Sequence, residues 1–421
     1  MSTRAIPQPV PYKALIFSLA ALVRLLLFQV PGLTRVLADQ VELSTPLTGY
    51  KRVIEGVFLY KSAVPPFEGG ACHHAPLLIA LFHVLDALPI QCTQIVYITM
   101  DLVAAHMMMG IADRKTTMYT SKLKLDIEKG ESTGLWIIGA LYLFNPMTIL
   151  SCVSLSTGIF SNTSVIAAIY HALSASASNS MFWLAIASYL SFYPAMLIFP
   201  INSILSSGRS LTHYLNVFPK AMGIFGLYLL TLLGISYVFT GSWKFMGSTY
   251  GVIIFLKDLT PNIGLFWYFF IEMFDQYRSF FLSVFQIHAF IYAIPLTIRL
   301  SQHPLLACTL LCGIMAIFKS YPSAGDACLY LGLLPVHGEL RKYTRYDFLV
   351  ANIFLYSAAL APIFWHLWIY AGSGNANFFY AITLVYNVGQ IILLVDLLYS
   401  AIRRDFDVAN PQTRHWEINH R

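Results

Sequence analysis

Two asparagines lie in a glycine-rich turn between the last two apolar segments of the chain, in the run YAGSGNAN from Tyr370 to Asn377. Glycine allows a ligand to approach the backbone closely. The amides of Asn375 and Asn377 offer donors and acceptors without net charge, which suits a sugar or a phosphoethanolamine headgroup. The alternative is a structural turn in which an asparagine caps the following helix.

A second candidate is the run DLTPNIGLFWYFF, which begins polar at Asp258 and ends aromatic. Asp258 or Thr260 could cap a helix whose first turn contains Pro261. The aromatic face would suit the level of the lipid headgroups, where it could cover acyl chains. A plain aromatic belt is the alternative. The candidate ligand-binding residues here are Asp258, Asn262 and Trp267.

Charged residues at the edge of an apolar segment form a third candidate, in the run FKSYPSAGD. Lys319 can meet a lipid phosphate as a point charge, or it can simply extend its ammonium group to the membrane interface. Lys319 and Tyr321 join the candidates. Asp101 and Arg24 lie inside apolar segments, where ionisable residues are costly. They could pair as a structural element, or Asp101 could serve a site.

Metal and cofactor chemistry finds little support in the residue pattern. His73 and His74 follow Cys72, with His83 further on, but a metal site would need more ligands at helical or hairpin spacing. We therefore expect no metal and no cofactor. Cys72 and Cys92 could pair in an oxidising lumen, although spacing alone does not show it.

The composition indicates which elements must position these residues. The chain has 421 residues, of which 57% are hydrophobic and 11% charged, whereas soluble domains carry about 25% charged residues. The apolar residues form long runs, which lipid tolerates. No stripe of Lys and Arg with interleaved aromatics appears, so nucleic acid is not an expected partner. The chain is predicted to be a polytopic membrane protein.

The apolar runs predict an all-α transmembrane bundle of about twelve spans. The stretch 181–207 is divided into two short helices at Tyr193-Pro194, since proline breaks helices. Residues 76–90 read as a re-entrant or interfacial helix. Clear spans lie near 14–30, 92–112, 134–152, 221–241, 279–298, 304–319, 346–369 and 378–400, with shorter ones near 160–175 and 326–338.

Basic loops predict the orientation, because Lys and Arg are enriched in cytoplasmic loops. Three groups of basic residues begin at Arg114, Arg341 and Arg403. All three lie in the cytoplasm if the stretch 181–207 crosses the membrane twice, and the loop near Arg209 is then cytoplasmic as well. We predict a single integral membrane domain, 1–421, and a poorly accessible glycosylation sequon at Asn162. Within this domain we predict a luminal loop 31–75, a cytoplasmic loop 113–133 and a cytoplasmic tail 401–421.

Several long segments resemble the phosphatidylinositol-glycan class U (PIG-U) family, and the similarity extends along nearly the whole chain. The segments are VELSTPLTGYKRVIEG from Val41, LFNPMTILSCVSLST from Leu143, DLTPNIGLFWYFFIEMF from Asp258, IFKSYPSAGDACLYLGLLPV from Ile317 and FWHLWIYAGSGNANFFYAITL from Phe364.

The resemblance implies a non-catalytic subunit of the glycosylphosphatidylinositol (GPI) transamidase in the endoplasmic reticulum membrane. Such a subunit binds the GPI lipid and presents it, whereas the catalytic cysteine protease is another subunit. The implied partners are the other transamidase subunits, the GPI lipid and membrane lipids. The implied fold is similar to the GT-C glycosyltransferases. The resemblance further implies that Asn375 and Asn377, in the luminal loop that matches the family, contact the GPI headgroup. It implies no catalytic residue in this chain.

The fold similarity raises an alternative function, an active mannosyltransferase that uses dolichol-phosphate-mannose. Such enzymes place a D-x-D-type acidic pair in the first luminal loop. Here the nearest acids, Asp39 and Glu42, have the wrong spacing, and no Arg-Gly-Asn follows the Phe144-Asn145-Pro146 region. A general base elsewhere, such as Asp101, stays open. A transporter is a third class, but no paired repeat halves appear.

Overall fold

The computed structural model describes the backbone of residues 10–123, 134–206 and 211–413. Every regular element in these ranges is a helix, which confirms the predicted all-α class. The chain divides into two compact units. The larger unit comprises the described residues up to Val336, and the smaller unit begins at His337. That residues 1–421 form one membrane domain stays a prediction.

The larger unit contains seventeen α-helices and a short 3-10 helix, Tyr193–Leu197. The α-helices are α1 Val10–Gln29, α2 Leu33–Ala38, α3 Tyr50–Lys61, α4 Pro76–Asp86, α5 Ile90–Leu123, α6 Leu135–Leu143, α7 Pro146–Val153, α8 Gly158–Leu173, α9 Ala177–Ser191, α10 Ile198–Leu205, α11 Leu211–Thr240, α12 Lys244–Phe255, α13 Phe266–Glu272, α14 Asp275–Phe290, α15 Ala293–Arg299, α16 Pro304–Phe318 and α17 Ala324–Leu333.

The smaller unit is built on two long helices, α18 Asp347–Ile369 and α19 Ala376–Ala409. They are joined by a short turn that contains the two candidate asparagines. A 3-10 helix, Leu334–Tyr343, precedes them and breaks at His337, and another, Pro411–Thr413, follows them.

Within the described residues, six helical segments are long and apolar enough to cross a membrane, or seven if the bent pair α6–α7 is one span. The six are α1, α5, α11, α14 with α15, α18 and α19, each at a predicted clear span. The shorter predicted spans correspond to α8, α9, α10 and α17. The predicted clear span 304–319 corresponds to α16, which is among the shorter apolar helices. Helices α8 and α16 are almost wholly buried, and a helix enclosed by protein need not match the thickness of the lipid. The count of twelve stays a prediction.

The predicted span 134–152 is not one straight helix. Helix α6 ends at Leu143, α7 begins at Pro146, and the two are bent by 52°. Proline cannot continue a helix, and the side chain of Asn145 caps the new one by accepting a hydrogen bond from the Met147 amide at 2.9 Å. The expected break in 181–207 is confirmed, since α9 ends at Ser191 and the 3-10 helix begins at Tyr193.

Segments predicted as loops contain helices. Helices α2 and α3 lie in 31–75, α5 continues to Leu123, and α19 continues into the predicted tail. Residues 124–133 of the predicted cytoplasmic loop, Arg209 and residues 414–421 of the predicted tail lie outside the described residues. The apolar segment 76–90 forms α4 over its first eleven residues.

The predicted pairing of the two intramembrane charges is confirmed. Arg24 Nε lies 2.8 Å from Asp101 Oδ2, and both side chains are buried. The hydroxyl of Tyr142 lies 3.5 Å from the other oxygen of Asp101. The pair joins α1 to α5, and each charge compensates the other in a region where lipid could not solvate it.

Two further expectations concern accessible side chains. Asn162 is buried and its amide donates to the Gly325 carbonyl at 2.7 Å, which confirms that the sequon is poorly accessible. Cys72 and Cys92 are free thiols, so the pairing left open above does not form.

Candidate functional site

A small, partly open cavity lies in the larger unit. The lining comes from chain segments at or near helix ends, where backbone N–H and C=O groups lack hydrogen-bond partners within the helix. Its polar members are Thr48, His74, Thr157, Ser161, Ser191, Tyr193, Lys319, Tyr321 and Asp326.

Lys319 and Asp326 form the charged part of the lining. Lys319 Nζ lies 2.7 Å from Asp326 Oδ1, and their side chains are 13% and 10% exposed. The other carboxylate oxygen, Oδ2, accepts hydrogen bonds from the Ser323 amide at 2.8 Å and the Ser323 hydroxyl at 3.3 Å. This capping box starts α17. The carboxylate is thus held on both sides, and the ion pair makes this part of the cavity electrically neutral.

His74 reaches the cavity from the turn before α4. The side chain is 2% exposed, and neither ring nitrogen has a hydrogen-bond partner. Burial, with smaller contributions from His73 and Arg52, lowers the pKa of His74 to about 3. The ring is therefore a neutral imidazole, which offers one donor and one acceptor.

His73 turns away from the cavity lining and ties the turn to α12. Its Nδ1 lies 2.8 Å from the Ser248 carbonyl, so this nitrogen carries the proton. Burial lowers the pKa of His73. Its other nitrogen lies 3.9 Å from Asp258 Oδ2, a contact that becomes an ion pair only when the ring is protonated.

The prediction that Asp258 or Thr260 caps a helix through Pro261 is wrong. Helix α13 begins at Phe266, and Asp258 instead accepts a hydrogen bond from the Thr260 amide at 2.8 Å. Such local side-chain bonds compete with helix formation. The backbone carbonyl of Asp258 accepts a hydrogen bond from the Tyr321 hydroxyl at 2.6 Å, which joins this turn to the cavity wall.

Asn262 and Trp267 are buried in the same segment. Asn262 Oδ1 accepts a hydrogen bond from the Gly264 amide at 2.8 Å, and Asn262 Nδ2 donates one to the Thr260 carbonyl at 3.2 Å. Gly264 packs so closely on Pro322 that a Cβ there would lie 2.6 Å from Pro322 Cδ. Trp267 is 1% exposed. Both side chains thus support the turn, and direct contact with a lipid stays a prediction for each.

Asn375 and Asn377 are exposed in the smaller unit. Asn375 caps α19, since its Oδ1 accepts the Asn377 amide at 3.0 Å and the Phe378 amide at 3.4 Å. Gly372 has φ of 62°, a conformation that glycine adopts without strain. The structural interpretation of this turn is therefore confirmed for Asn375. Binding of a headgroup by the two amides stays a prediction.

The two acids of the first loop differ in environment. Asp39 forms an exposed ion pair with Lys51. Glu42 is largely buried, its Oε1 has no hydrogen-bond partner, and burial raises its pKa. Neither acid lines the cavity. Among the residues whose side chains are described, no three His, Cys, Asp or Glu come close enough to hold a metal ion.

Of the predicted site residues, Lys319 and Tyr321 line the cavity. Asp258 joins them through the Tyr321 hydroxyl. His74, Ser161 and Tyr193 also line the cavity and were not predicted from the sequence. The sequence signal for His74 is a histidine two residues before Pro76, the proline that begins an apolar helix, and it was weighed only as a metal ligand. No local pattern marks the other two.

Comparison with known proteins gives a consistent result. A family model described as GPI transamidase subunit PIG-U matches residues 18–386. A mouse protein named GPI-anchor transamidase component PIGU is 39% identical over 93% of this chain and 94% of its own length. The human protein of that name is 38% identical over the same shares. The GPI transamidase component GAB1 of Saccharomyces cerevisiae is 35% identical over 90% of this chain and 92% of its own length.

Proposed function

The chain belongs to the family of GPI transamidase subunit PIG-U, and on that premise we propose that it binds the GPI lipid and presents it for attachment to the C-terminus of precursor proteins. It is a multi-pass membrane protein and a subunit of the transamidase. The site of action we propose is the endoplasmic reticulum membrane, with the other transamidase subunits, the GPI lipid and membrane lipids as partners.

The cavity at Lys319 and Asp326 is the observation that carries the proposal. It combines apolar residues such as Leu47 and Leu78 with hydroxyls, a neutral imidazole and a balanced ion pair. A lipid with a polar headgroup needs this combination of apolar contact and a few convergent polar groups. From the family resemblance alone, we separately propose that the exposed amides of Asn375 and Asn377 contact the GPI headgroup.

Presentation rather than bond formation is the role we propose. The catalytic cysteine protease would be another chain of the complex. Holding the acceptor amine of the lipid beside that subunit lowers the entropic cost of the reaction. The carboxylate of Asp326 is held by Lys319 and Ser323, which gives it a structural role at the start of α17.

The test uses the complex purified from membranes through this chain. We expect GPI lipid and a luminal cysteine protease to co-purify with it, measured by lipid extraction with mass spectrometry and by protein identification. A complex that supports GPI attachment in membranes yet carries and binds no GPI lipid would contradict the proposal.

The alternative mannosyltransferase function has its own test. The isolated chain is incubated with dolichol-phosphate-mannose and a GPI precursor, and transfer of labelled mannose is measured. We expect none above the background of a preparation without the chain. Transfer that is lost on replacing Asp101 or Asp326 would favour the enzyme.

A further inference from the structure

We propose that Asp396 is a positioning residue for GPI attachment, because it fixes the register of α18 against α19 and thereby the place of the turn that carries Asn375 and Asn377. The proposal rests on the proposed contact of that turn with the GPI headgroup. Asp396 belongs to the last predicted span and is 2% exposed. A carboxylate inside a membrane-spanning helix is costly, so its partners indicate its role.

The carboxylate of Asp396 reaches from α19 to the start of α18. Its Oδ2 accepts a hydrogen bond from the Arg345 amide at 2.8 Å and another from the Tyr346 amide at 3.1 Å, and its Oδ1 lies 3.5 Å from Arg345 Nε. Tyr346 is the N-cap residue of α18, and no side chain of this residue caps the helix. The carboxylate of Asp396 therefore supplies a negatively charged acceptor at the start of α18, where the helix favours one.

The side chain of Arg345 strengthens the same junction. Its guanidinium carbon lies 3.6 Å from the centre of the Tyr399 ring, a distance at which cation–π attraction acts. Tyr399 follows Asp396 by three residues, so the two side chains are neighbours on the surface of α19. Two groups of α19 thus hold one residue of α18, which opposes sliding along the helix axis.

Apolar contact alone does not fix the register of two helices in lipid, because lipid tails are as apolar as the helix surfaces. A slide by one helical turn displaces a helix by about 5.4 Å. The second determinant of the register is steric. Gly389 of α19 packs so closely on α18 that a Cβ there would lie 2.6 Å from Ile353 Cγ2. Asp396 and Gly389 therefore specify one register together, one by hydrogen bonds and the other by shape.

The turn that joins the two helices lies at the opposite end of this hairpin from Asp396. Asn375 is the N-cap residue of α19, and about 28 Å of helix separate Asn377 from Asp396. Helix α18 ends at Ile369, so only a short turn connects it to α19. A displaced α18 would have to distort that turn, and the two amides would move with it.

A disulfide between positions 353 and 389 measures the register directly. A Cβ on Gly389 would lie 3.3 Å from Ile353 Cβ, and disulfides join Cβ atoms about 3.5–4.5 Å apart. The parent is the full-length chain with Ile353→Cys and Gly389→Cys, assembled in the transamidase complex in membranes and oxidised with copper phenanthroline. Each single cysteine variant gives the background from the native thiols.

We expect the disulfide to form rapidly in the parent and more slowly after the further change Asp396→Ala. Removing the hydrogen bonds of two amides to a carboxylate shifts the equilibrium between registers by about a hundredfold, which populates a displaced register. The rate of disulfide formation should fall at least about threefold, in proportion to the population of the native register.

Asp407→Ala is the matched control. Asp407 is also a buried carboxylate of α19, but it pairs with Arg403 of the same helix at 3.0 Å. Its loss should leave the rate of disulfide formation unchanged. If Asp396→Ala fails to assemble, Asp396→Asn provides a second variant, because it keeps an accepting oxygen of nearly the same shape and loses the charge. It should form the disulfide more slowly than the parent.

GPI attachment to a reporter precursor is measured in the same membranes, per assembled complex, before and after oxidation. We expect Asp396→Ala to lower attachment at least about threefold before oxidation, as it lowers the population of the native register. Formation of the 353–389 disulfide should restore attachment, because the covalent bond sets the register that Asp396 otherwise sets. A role in stability alone would lower the amount of complex and leave attachment per complex unchanged.

Equal rates of disulfide formation in the parent and in the Asp396 variants would overturn the inference. A loss of attachment that persists after the disulfide has formed would overturn it as well, as would slower disulfide formation with unchanged attachment. The variant Asn375→Ala with Asn377→Ala separates this inference from the proposed function. Normal attachment in that variant contradicts the proposed role of the turn, whereas the rate of disulfide formation tests the register whatever the turn contacts.

Discussion

The side chain of Asn375 stabilises the start of α19, and this structural role must be distinguished from ligand binding when the residue is mutated. Its Oδ1 caps α19, and removing a cap costs about 1 kcal/mol. We predict that Asn375→Ala with Asn377→Ala lowers GPI attachment while the complex still assembles. The measurement is surface display of a GPI-anchored reporter, alongside co-purification of the other subunits.

The matched variant is Asn375→Asp. Aspartate is as good a cap as asparagine, yet it lacks the amide donor and adds a negative charge. We expect attachment to fall in Asn375→Asp as it does in Asn375→Ala, with a smaller loss of thermal stability. Full attachment in Asn375→Asp, combined with loss in Asn375→Ala, would mean that only the cap matters.

The burial of His74 predicts how the stability of the protein depends on pH. Its pKa is about 3 in the folded protein and about 6.5 in the unfolded chain. Between these values the unfolded chain binds more protons, so stability rises with pH and is lost as pH falls from 6.5. From pH 6.5 to 5 the loss is about 2 kcal/mol. The melting temperature should therefore fall more on acidification in the native protein than in His74→Leu. His73 and Arg52, which face the ring, are unchanged in both. Parallel curves would contradict the prediction.

The helices α1 and α5 are joined by Arg24 and Asp101, and this junction can be tested as a unit. Removing one partner of a buried pair leaves an uncompensated charge and costs about 3–5 kcal/mol. We predict that Arg24→Leu or Asp101→Leu alone strongly lowers the melting temperature and the yield of folded protein. The double variant should recover most of the loss. A double variant no better than either single one would show that the pair does more than neutralise charge.

The elements illustrate what the sequence could predict. Long apolar runs located α11, α18 and α19 because their length is set by the membrane. The break at Pro194 followed from the backbone chemistry of proline, yet the break before Pro146 was missed, because Asn145 and Pro146 lie within an otherwise apolar run. Helices α2 and α3 were also missed, since short helices packed on other protein carry weak periodicity.

The candidate site was harder to predict than the helices. Lys319 and Tyr321 stood out because charged and aromatic residues at the edge of an apolar run are locally unusual. Ser161 has no such local signal, and His74 drew attention only as a possible metal ligand. They meet at the cavity only because the fold brings together segments that are far apart in sequence, and the contacts of His74 depend on that arrangement rather than on spacing.

For the whole molecule, the predicted orientation places the turn at 371–374 in the lumen and the turn after Arg299 in the cytoplasm. A glycosylation sequon inserted at Ser373, which is exposed, should be modified in membranes. The same insertion at Ser301, which is also exposed, should not. Sensitivity of the product to an endoglycosidase provides the measurement. Modification at Ser301 alone would reverse the predicted orientation.

Photo-crosslinking to GPI lipid tests lipid binding by this chain most directly. Benzoylphenylalanine replaces Leu47, which lines the cavity, or Leu230, which is 69% exposed on α11, in complexes loaded with inositol-labelled GPI. We predict a labelled adduct of this chain from position 47 and little from position 230. The absence of an adduct from position 47 in a complex that still attaches GPI, or equal labelling from both positions, would contradict GPI binding in this cavity.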